Sequence, residues 1–266
     1  MLGFMDAWPQ PSRDPEARDD SVSFPLDEQD LSTISDQKIA ALCFSAPKLH
    51  EFGDHLNVAR ISKSLVIKGG RGVRPHDSQN MVFAAETLNL PVPKVHRAFV
   101  EDVPGPTDGT LVKGHFIVMD YVPGPTVEEC WDKLDETHSP RPTSWTYWRA
   151  SDHKLEGPWF TDNGAGPFAT LQDLEDWCNH KIDICIKFNQ LPWHARYLKR
   201  FRFNKLVLAH QDIAPRNLIL DAQGKVWLID WGLSGVYPPG FEQARNEQFV
   251  DMVLDRLSDR REDVME

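Results

Sequence analysis

Asp212, Asn217 and Asp230 are the residues of this chain whose types and spacing best fit a chemistry. They stand in two runs, His210-Gln211-Asp212-Ile213-Ala214-Pro215-Arg216-Asn217 and Leu228-Ile229-Asp230-Trp231-Gly232. Phosphoryl transfer asks little of a protein beyond position and charge. One carboxylate holds the acceptor hydroxyl in line, while an amide and a second carboxylate hold magnesium against the triphosphate. Asp212 is therefore the candidate catalytic residue. Asn217 and Asp230 are the candidate Mg2+ ligands, offering the hard oxygen donors that this ion prefers.

The intervening sequence shows how they would meet. Leu218-Ile219-Leu220 and Lys225-Val226-Trp227-Leu228-Ile229 are short apolar runs. Asp221-Ala222-Gln223-Gly224 between them has turn chemistry, with a glycine free to take positive φ. A hairpin folded there places Asn217, at the start of one strand, beside Asp230, at the end of the other. A lone H-x-D would be read as a surface hairpin flanked by solvated acids. The joint occurrence of H-x-D-x-x-x-x-N, a hairpin and I-D-W-G is far more specific.

At these residues the chain resembles the aminoglycoside phosphotransferase and choline kinase-like family, and within it the fungal proteins that carry an aminoglycoside phosphotransferase domain. The family's loop reads roughly H-G-D-x-x-P-x-N. Pro215, and Gln211 where protein kinases carry Arg, favour small-molecule kinases over protein kinases. Gly235-Val236-Tyr237-Pro238 is similar to the family's G-x-Y-P after the metal loop. Pro91-Val92-Pro93-Lys94-Val95 and Met119-Asp120-Tyr121-Val122-Pro123-Gly124 resemble its P-V-P and hinge signatures, and Gly166-Pro167-Phe168 a motif before a helix. The resemblance runs from about Val58 to about Glu242.

The resemblance implies an α+β, bilobal protein-kinase-like fold, with a small β-rich N-lobe and a larger, mainly helical C-lobe. It implies ATP as phosphoryl donor, with GTP as the alternative, and Mg2+ beside it. Lys68, ending the strand Ser64-Leu65-Val66-Ile67-Lys68, falls where the family's nucleotide lysine stands, and its ammonium would neutralise phosphate charge. Counting back from Pro91-Val92-Pro93, the lysine's acidic partner falls on Asp77. Hinge groups around Asp120 to Val122 would read the adenine edge, which puts Met119 and Tyr121 among the nucleotide-binding residues. Val66, Met119 and Leu220 would supply apolar walls. The loop histidine, His210, takes a backbone-supporting role in the resembling folds.

Two departures stand out in this half of the chain. Only Gly53 precedes the strand pair Val58-Ala59-Arg60-Ile61 and Ser64 to Lys68, whereas Gly69, Gly70 and Gly72 follow Lys68. Backbone amides cradle phosphates without many glycines. Asp77 is shorter than the family's glutamate and is expected to reach less far.

Composition narrows the reading. A chain of 266 residues with 41% hydrophobic content buries a full core. A net charge of -11, from 40 acidic against 29 basic residues, argues against a nucleic-acid partner and suits a cationic acceptor. The four cysteines form no C-x-x-C pair, so no zinc or disulfide framework is expected. No secretory leader and no bilayer-long apolar run is seen, so a cytoplasmic location without a membrane partner is the expectation.

The polar, proline-containing start is expected to be a mobile extension, followed by a short helix from Ser35 to Ala46 with Ile39, Leu42 and Cys43 on its apolar side. Residues 1–45 thus form a partly disordered extension, 46–122 the N-lobe and hinge, and 123–266 the C-lobe. Trp145, Trp148 and Trp159 sit in a loop-rich stretch among Arg149, Asp152, His153, Asp162 and Asn163. They would either face the acceptor by cation–π attraction or pin the loop. A helix from Thr170 carries Leu171, Leu174, Cys178, Cys185 and Phe188 as an apolar stripe. Arg196, Lys199, Arg200, Arg202 and Lys205 read as a solvated helix face, and His180 and His194 as structural or surface residues. One last helix, with Phe249, Val253 and Leu257, implies a shortened C-lobe whose exposed core a partner or second copy would cover.

The sequence therefore points to a small-molecule kinase-like phosphotransferase that moves the γ-phosphoryl group of ATP to a hydroxyl of a small, amine-bearing acceptor. The alternative is a catalytically impaired, kinase-like binding or scaffold protein. The sparse glycines, Asp77 and the shortened C-lobe motivate it.

Overall fold

The computed structural model describes residues 13–53, 55–105, 110–131, 165–190, 197 and 199–242. The chain divides into two compact units, Met1–Ser139 with Pro215–Gly232, and Pro140–Ala214 with Leu233–Glu266. Among the described residues no helix is long and apolar enough to cross a membrane.

The first unit is built on a five-stranded antiparallel sheet, β1 (Lys48–Phe52), β2 (Leu56–Arg60), β3 (Leu65–Gly70), β4 (Val95–Pro104) and β5 (Leu111–Asp120). Its spatial order is β1-β2-β3-β5-β4. The sheet begins earlier than the sequence suggested. β1 lies at the edge, and each of its residues is only half buried, so it lacks the alternation that marks a strand with one wet face. β3 is the central strand, and its last five residues are all buried.

Helix α1 (Asp36–Ser45) starts where its cap predicts, with the Ser35 hydroxyl accepting the Lys38 N–H. Its Ile39, Ala40 and Cys43 join Ala59, Ile61, Ile67, Phe116 and Val118 in one apolar core. The Phe116 ring stacks on Phe99 at 5.3 Å and meets Phe44 edge-on at 6.2 Å. A side chain on Gly69 would run into that ring. The backbone beside Lys68 is thus fitted to the core without room for a Cβ.

The segment before α1 is packed from Arg13 on rather than free. A 3-10 turn at Pro15–Arg18 is capped by Asp14, and Ala17, Phe24 and Leu26 are buried. Asp14 N–H bonds the Lys48 carbonyl, and Leu26 N–H bonds that of Ile61. The sequence understated this segment because its acids and prolines serve local caps and turns, not solvent alone.

Helix α2 (Pro75–Glu86) follows β3, and the one-turn helix α3 (Val127–Cys130) follows β5 with a complete capping box from Thr126 and Glu129. The predicted hairpin is present in this unit, where β7 (Leu218–Leu220) pairs with β8 (Val226–Leu228), whereas β6 (Val207–Ala209) belongs to the second unit. Gly224 takes φ 78° in the β7–β8 turn. Asp221 ties that turn by accepting from Gln223 N–H, Lys225 N–H and Trp227 Nε1–H.

In the second unit, helix α4 (Leu171–Lys187) opens with a capping box from Thr170 and Asp173. Leu174 and Cys178 pack with Ala165, Ala209 and Tyr237. Phe188 departs from the expected stripe. It sits at the C-cap, 64% exposed, because the helix ends before it can face the core. Strand β6 pairs with β9 (Gly235–Tyr237). Arg200 and Arg202 lie on an extended segment, not a helix face. Lys199, Arg200, Arg202 and Lys205 are exposed, as a solvated surface requires, while Arg200 also pairs with Asp183 and Arg202 with Glu175, both on α4; Arg196 lies outside the described residues. The expected helix over Phe249, Val253 and Leu257, the tryptophans Trp145, Trp148 and Trp159, and His194 lie outside the described residues.

Replacing Phe116, which is 1% exposed, by Ala is expected to lower the unfolding free energy by about 3–5 kcal/mol. Urea unfolding checks this. A loss under about 1 kcal/mol would mean that the ring is not the keystone of this core.

Candidate active site

Lys68 is the centre of the site. Its Nζ lies 2.6 Å from Asp77 Oδ2 and 2.8 Å from Asp230 Oδ1. The side chains of Lys68 and Asp77 are 7% and 1% exposed, that of Asp230 48%. Burial alone would lower the lysine's pKa, but the charges and hydrogen bonds of Asp230 and Asp77 outweigh it and raise the value above its usual one. A raised lysine stabilises the fold fully below its unfolded pKa of about 10.4, and that stability is lost as pH rises through the folded value. The group therefore stays charged throughout the neutral range.

Asp77 reaches further than its length suggested. It stands in the first turn of α2, which begins only at Pro75, so the helix start itself carries the short carboxylate up to the lysine. Its other oxygen, Oδ1, is buried without a hydrogen bond.

Asp230 arrives from β8. Its backbone takes φ 61°, a left-handed conformation tolerated best by Gly, Asn and Asp. The sharp turn expected at Gly232 is thus made by Asp230 itself. A Cβ at Gly232 would touch Asp230, Asp77 and Lys68 at 3.5–3.9 Å, so the glycine keeps the space against the triad open. Trp231 packs inward as expected, 1% exposed, with Nε1–H donating to the Leu228 carbonyl.

Asn217 is 5% exposed in a 3-10 turn directly before β7. Leu218 pairs with Leu228, and the Asn217 carbonyl accepts the Ile229 N–H at 2.9 Å. The hairpin therefore brings Asn217 opposite the residue next to Asp230. Two outside segments hold it. Leu228 N–H bonds the Pro91 carbonyl, and Leu220 N–H bonds that of Pro125. The P-V-P run thus anchors β8 to the sheet unit. Gly124, at φ 142°, passes so close to the Leu220 carbonyl that a Cβ would collide with it.

At the end of β5, Met119 is 9% exposed and stands opposite Val66 of β3 and Val95 of β4. Val66 and Met119 are thus neighbours, as two walls of one pocket require. The amides of Asp120 and Tyr121 are committed to the carbonyls of Lys94 and Ser64. Those two amides are therefore already occupied within the sheet unit. The Tyr121 ring carries the Arg60 guanidinium 3.8 Å from its centroid.

The glycines after Lys68 have a specific use. Gly53, at φ 53°, lies in the β1–β2 turn, where the phosphate cover is expected. Gly72 N–H donates to the His55 carbonyl across that turn at 2.8 Å. A Cβ on Gly70 or Gly72 would strike His55. The glycines thus let the turn after Lys68 pack directly beneath the hairpin tip, a role that no G-x-G-x-x-G pattern reveals.

In the second unit, β6 leads into the loop that carries Asp212, and β9, the G-x-Y-P strand, pairs with β6 through Leu208 and Val236. Buried His210 supports this loop's own backbone by accepting the Asp212 N–H at Nδ1. Gln211 takes φ 62° and donates its N–H to Glu242. Glu242 is a loop-fixing residue that sequence reasoning missed, because its partner is a backbone amide 31 positions away. Asp212 stands in this fixed loop, five positions before Asn217 in the chain.

The donor set of the first unit fits a magnesium ion. It offers a half-exposed carboxylate at Asp230, a side-chain amide at Asn217 and hard oxygen chemistry throughout. Among the described residues no cluster of three or more His, Cys, Asp or Glu side chains forms a metal cage.

Lys68→Met leaves Asp77 buried without its counter-charge and is expected to cost about 3–5 kcal/mol of stability. Asp77→Asn alongside Lys68→Met should recover part of that loss. Denaturant unfolding of the single and double variants checks both. Equal stability of Lys68→Met and the parent chain would contradict the buried pairing.

Comparison with curated proteins gives no match. Among solved structures, a ternary complex of APH(2″)-IIa with streptomycin and ATP is 16% identical, with a TM-score of 0.39, covering 79% of this chain and 74% of that one. ADP-bound aminoglycoside phosphotransferase APH(2″)-Ib is 15% identical, with a TM-score of 0.38 and the same coverage. Monomeric WbdD is 14% identical, with a TM-score of 0.33, covering 74% of this chain and 37% of that one. The model of the phosphotransferase enzyme family, APH, matches residues 80–245. That span takes in Met119, Tyr121, Asp212, Asn217 and Asp230, whereas Lys68 and Asp77 precede it. It covers more than half of the 266 residues, and the chain belongs to the phosphotransferase enzyme family.

Proposed function

We propose that this chain transfers the γ-phosphoryl group of ATP to a hydroxyl of a small, amine-bearing molecule. The observation that carries the reading is the position of Lys68 between Asp77 and Asp230, on the hairpin that also presents Asn217. The family match and the acidic balance of -11 support it.

In this reading Lys68 orients the phosphates, with Asp77 fixing the lysine from behind. Asn217 and Asp230 hold Mg2+, which when bound offsets the charge of the phosphate oxygens. Asp230, the more exposed of the two carboxylates on Lys68, would be the one to face the ion, while Asp77 holds the lysine. Val66 and Met119 wall the base, and the chain from Tyr121 to Val122 reads its edge. Asp212 holds the acceptor hydroxyl in line. The acceptor oxygen forms its bond to the γ-phosphorus as the bond from that phosphorus to the β,γ-bridging oxygen breaks. ADP leaves, and the hydroxyl proton passes to Asp212. The rate advantage comes from positioning and fixed charge rather than a covalent intermediate. We read the sheet unit as the nucleotide-holding part and the unit that carries Asp212 as the acceptor-holding part.

A panel of amino alcohols and amino sugars with γ-labelled ATP tests the reading. Asp212→Ala should lower transfer by about 10²–10⁴-fold, the usual worth of a positioned acid or base, and leave ATP affinity intact. Transfer at the parent rate in that variant would remove Asp212 from the reaction.

A further inference from the structure

Arg60 ends β2 and is 1% exposed, although it is charged. Its guanidinium lies between two rings, 4.4 Å from the Phe24 centroid and 3.8 Å from that of Tyr121. It donates to Asp20 Oδ1 at 2.6 Å, to the Lys63 carbonyl at 2.9 Å, and to the Ala17 and Ser62 carbonyls at 3.3 Å each. Three of these partners, Phe24, Asp20 and Ala17, belong to the segment before α1. The planar guanidinium is what permits stacking and a fork of donors together.

The same segment reaches the other side of the hinge. Arg13 and Arg18 both pair with Glu129 of α3. Glu129 in turn accepts the Thr126 N–H. Thr126 bridges to Ile219 of β7, and the neighbouring Pro125 carbonyl accepts the Leu220 N–H. β7 is the strand that follows Asn217. The residues from Tyr121 to Thr126 are thus gripped at both ends by one N-terminal segment.

We propose that residues 13–27 form a brace that positions the hinge for nucleotide binding, with Arg60 and the Arg13/Arg18–Glu129 pair as its positioning residues. The proposal rests on the reading of Tyr121–Val122 as the base-binding edge. Arg60 touches neither phosphate nor acceptor. It acts through the Tyr121 ring, while the ion pair acts through α3. Loosening the brace leaves Lys68, Asp77, Asp230 and Asp212 as they are, but lowers the fraction of chains whose hinge is competent. Apparent affinity falls by that fraction.

The full-length Arg13→Glu/Arg18→Glu variant tests this. Both arginines are about two-fifths exposed, and surface ion pairs add little stability, so a merely structural role predicts no change. The brace predicts a KM for ATP raised about three- to tenfold at nearly unchanged kcat and Tm, recovered by Arg13→Lys/Arg18→Lys. Arg60→Lys, which keeps the charge and loses the stack, should raise KM for ATP by at least as much. If it does not fold, the exposed pair decides. Amide hydrogen exchange from Tyr121 to Cys130 gives a readout that needs no nucleotide. Faster exchange there in Arg13→Glu/Arg18→Glu supports the brace's grip on the hinge; no ATP binding by the parent chain would overturn the function proposed above and the brace's part in nucleotide binding, but not that grip. Unchanged exchange, or an equal KM in the variant, overturns the brace.

Discussion

One buried ammonium organises the first unit. Removing a charge from water costs several kcal/mol, and only good partners offset it. Lys68 has two, Asp77 behind it and Asp230 in front. They are unequal in a useful way. Asp77 is sealed in and holds the lysine permanently, whereas Asp230 is half exposed and open to exchange. In the function proposed for this chain, the cluster would supply both a fixed cation and a partly exposed carboxylate.

Everything around the cluster bears on its geometry. β3 brings the lysine up through a fully packed core, and Gly69 lets Phe116 close against it. The start of α2 at Pro75, which puts Asp77 in its first turn, brings that carboxylate into reach. The β7–β8 hairpin carries Asn217 and Asp230, and the Pro91 and Pro125 carbonyls tie it to the sheet unit. The N-terminal segment closes the arrangement around Arg60 and Glu129. It adds the constraint that the chain between β5 and α3 cannot shift without breaking bonds to residues more than a hundred positions earlier.

Much of this was legible from local chemistry. The turn at Gly224, the caps at Ser35 and Thr170 and the hairpin register depend on neighbours in sequence, and each formed where its residues said. The placement of Asp77 beside Lys68 followed from family spacing, although its reach did not, because reach depends on where α2 begins. Features set by tertiary contacts were hidden. β1 is an edge strand without alternation. Gly70 answers to the His55 backbone and Gly72 to the His55 ring, at the tip of the β1–β2 turn. Arg60 looks like an ordinary strand arginine until the Phe24 and Tyr121 rings are seen packed against its guanidinium. Gln211 sits at positive φ, which no periodicity foretells.

The central claim is that the Lys68–Asp77–Asp230 cluster is a metal–nucleotide site. Titration calorimetry of the full chain with ATP, with and without Mg2+, tests it most directly, with Asp230→Asn as the paired variant. The account predicts binding that is strengthened by Mg2+ in the parent chain and indifferent to Mg2+ in Asp230→Asn. ATP binding with the same Mg2+ dependence in both proteins, or no binding by a well-folded parent chain, would contradict it.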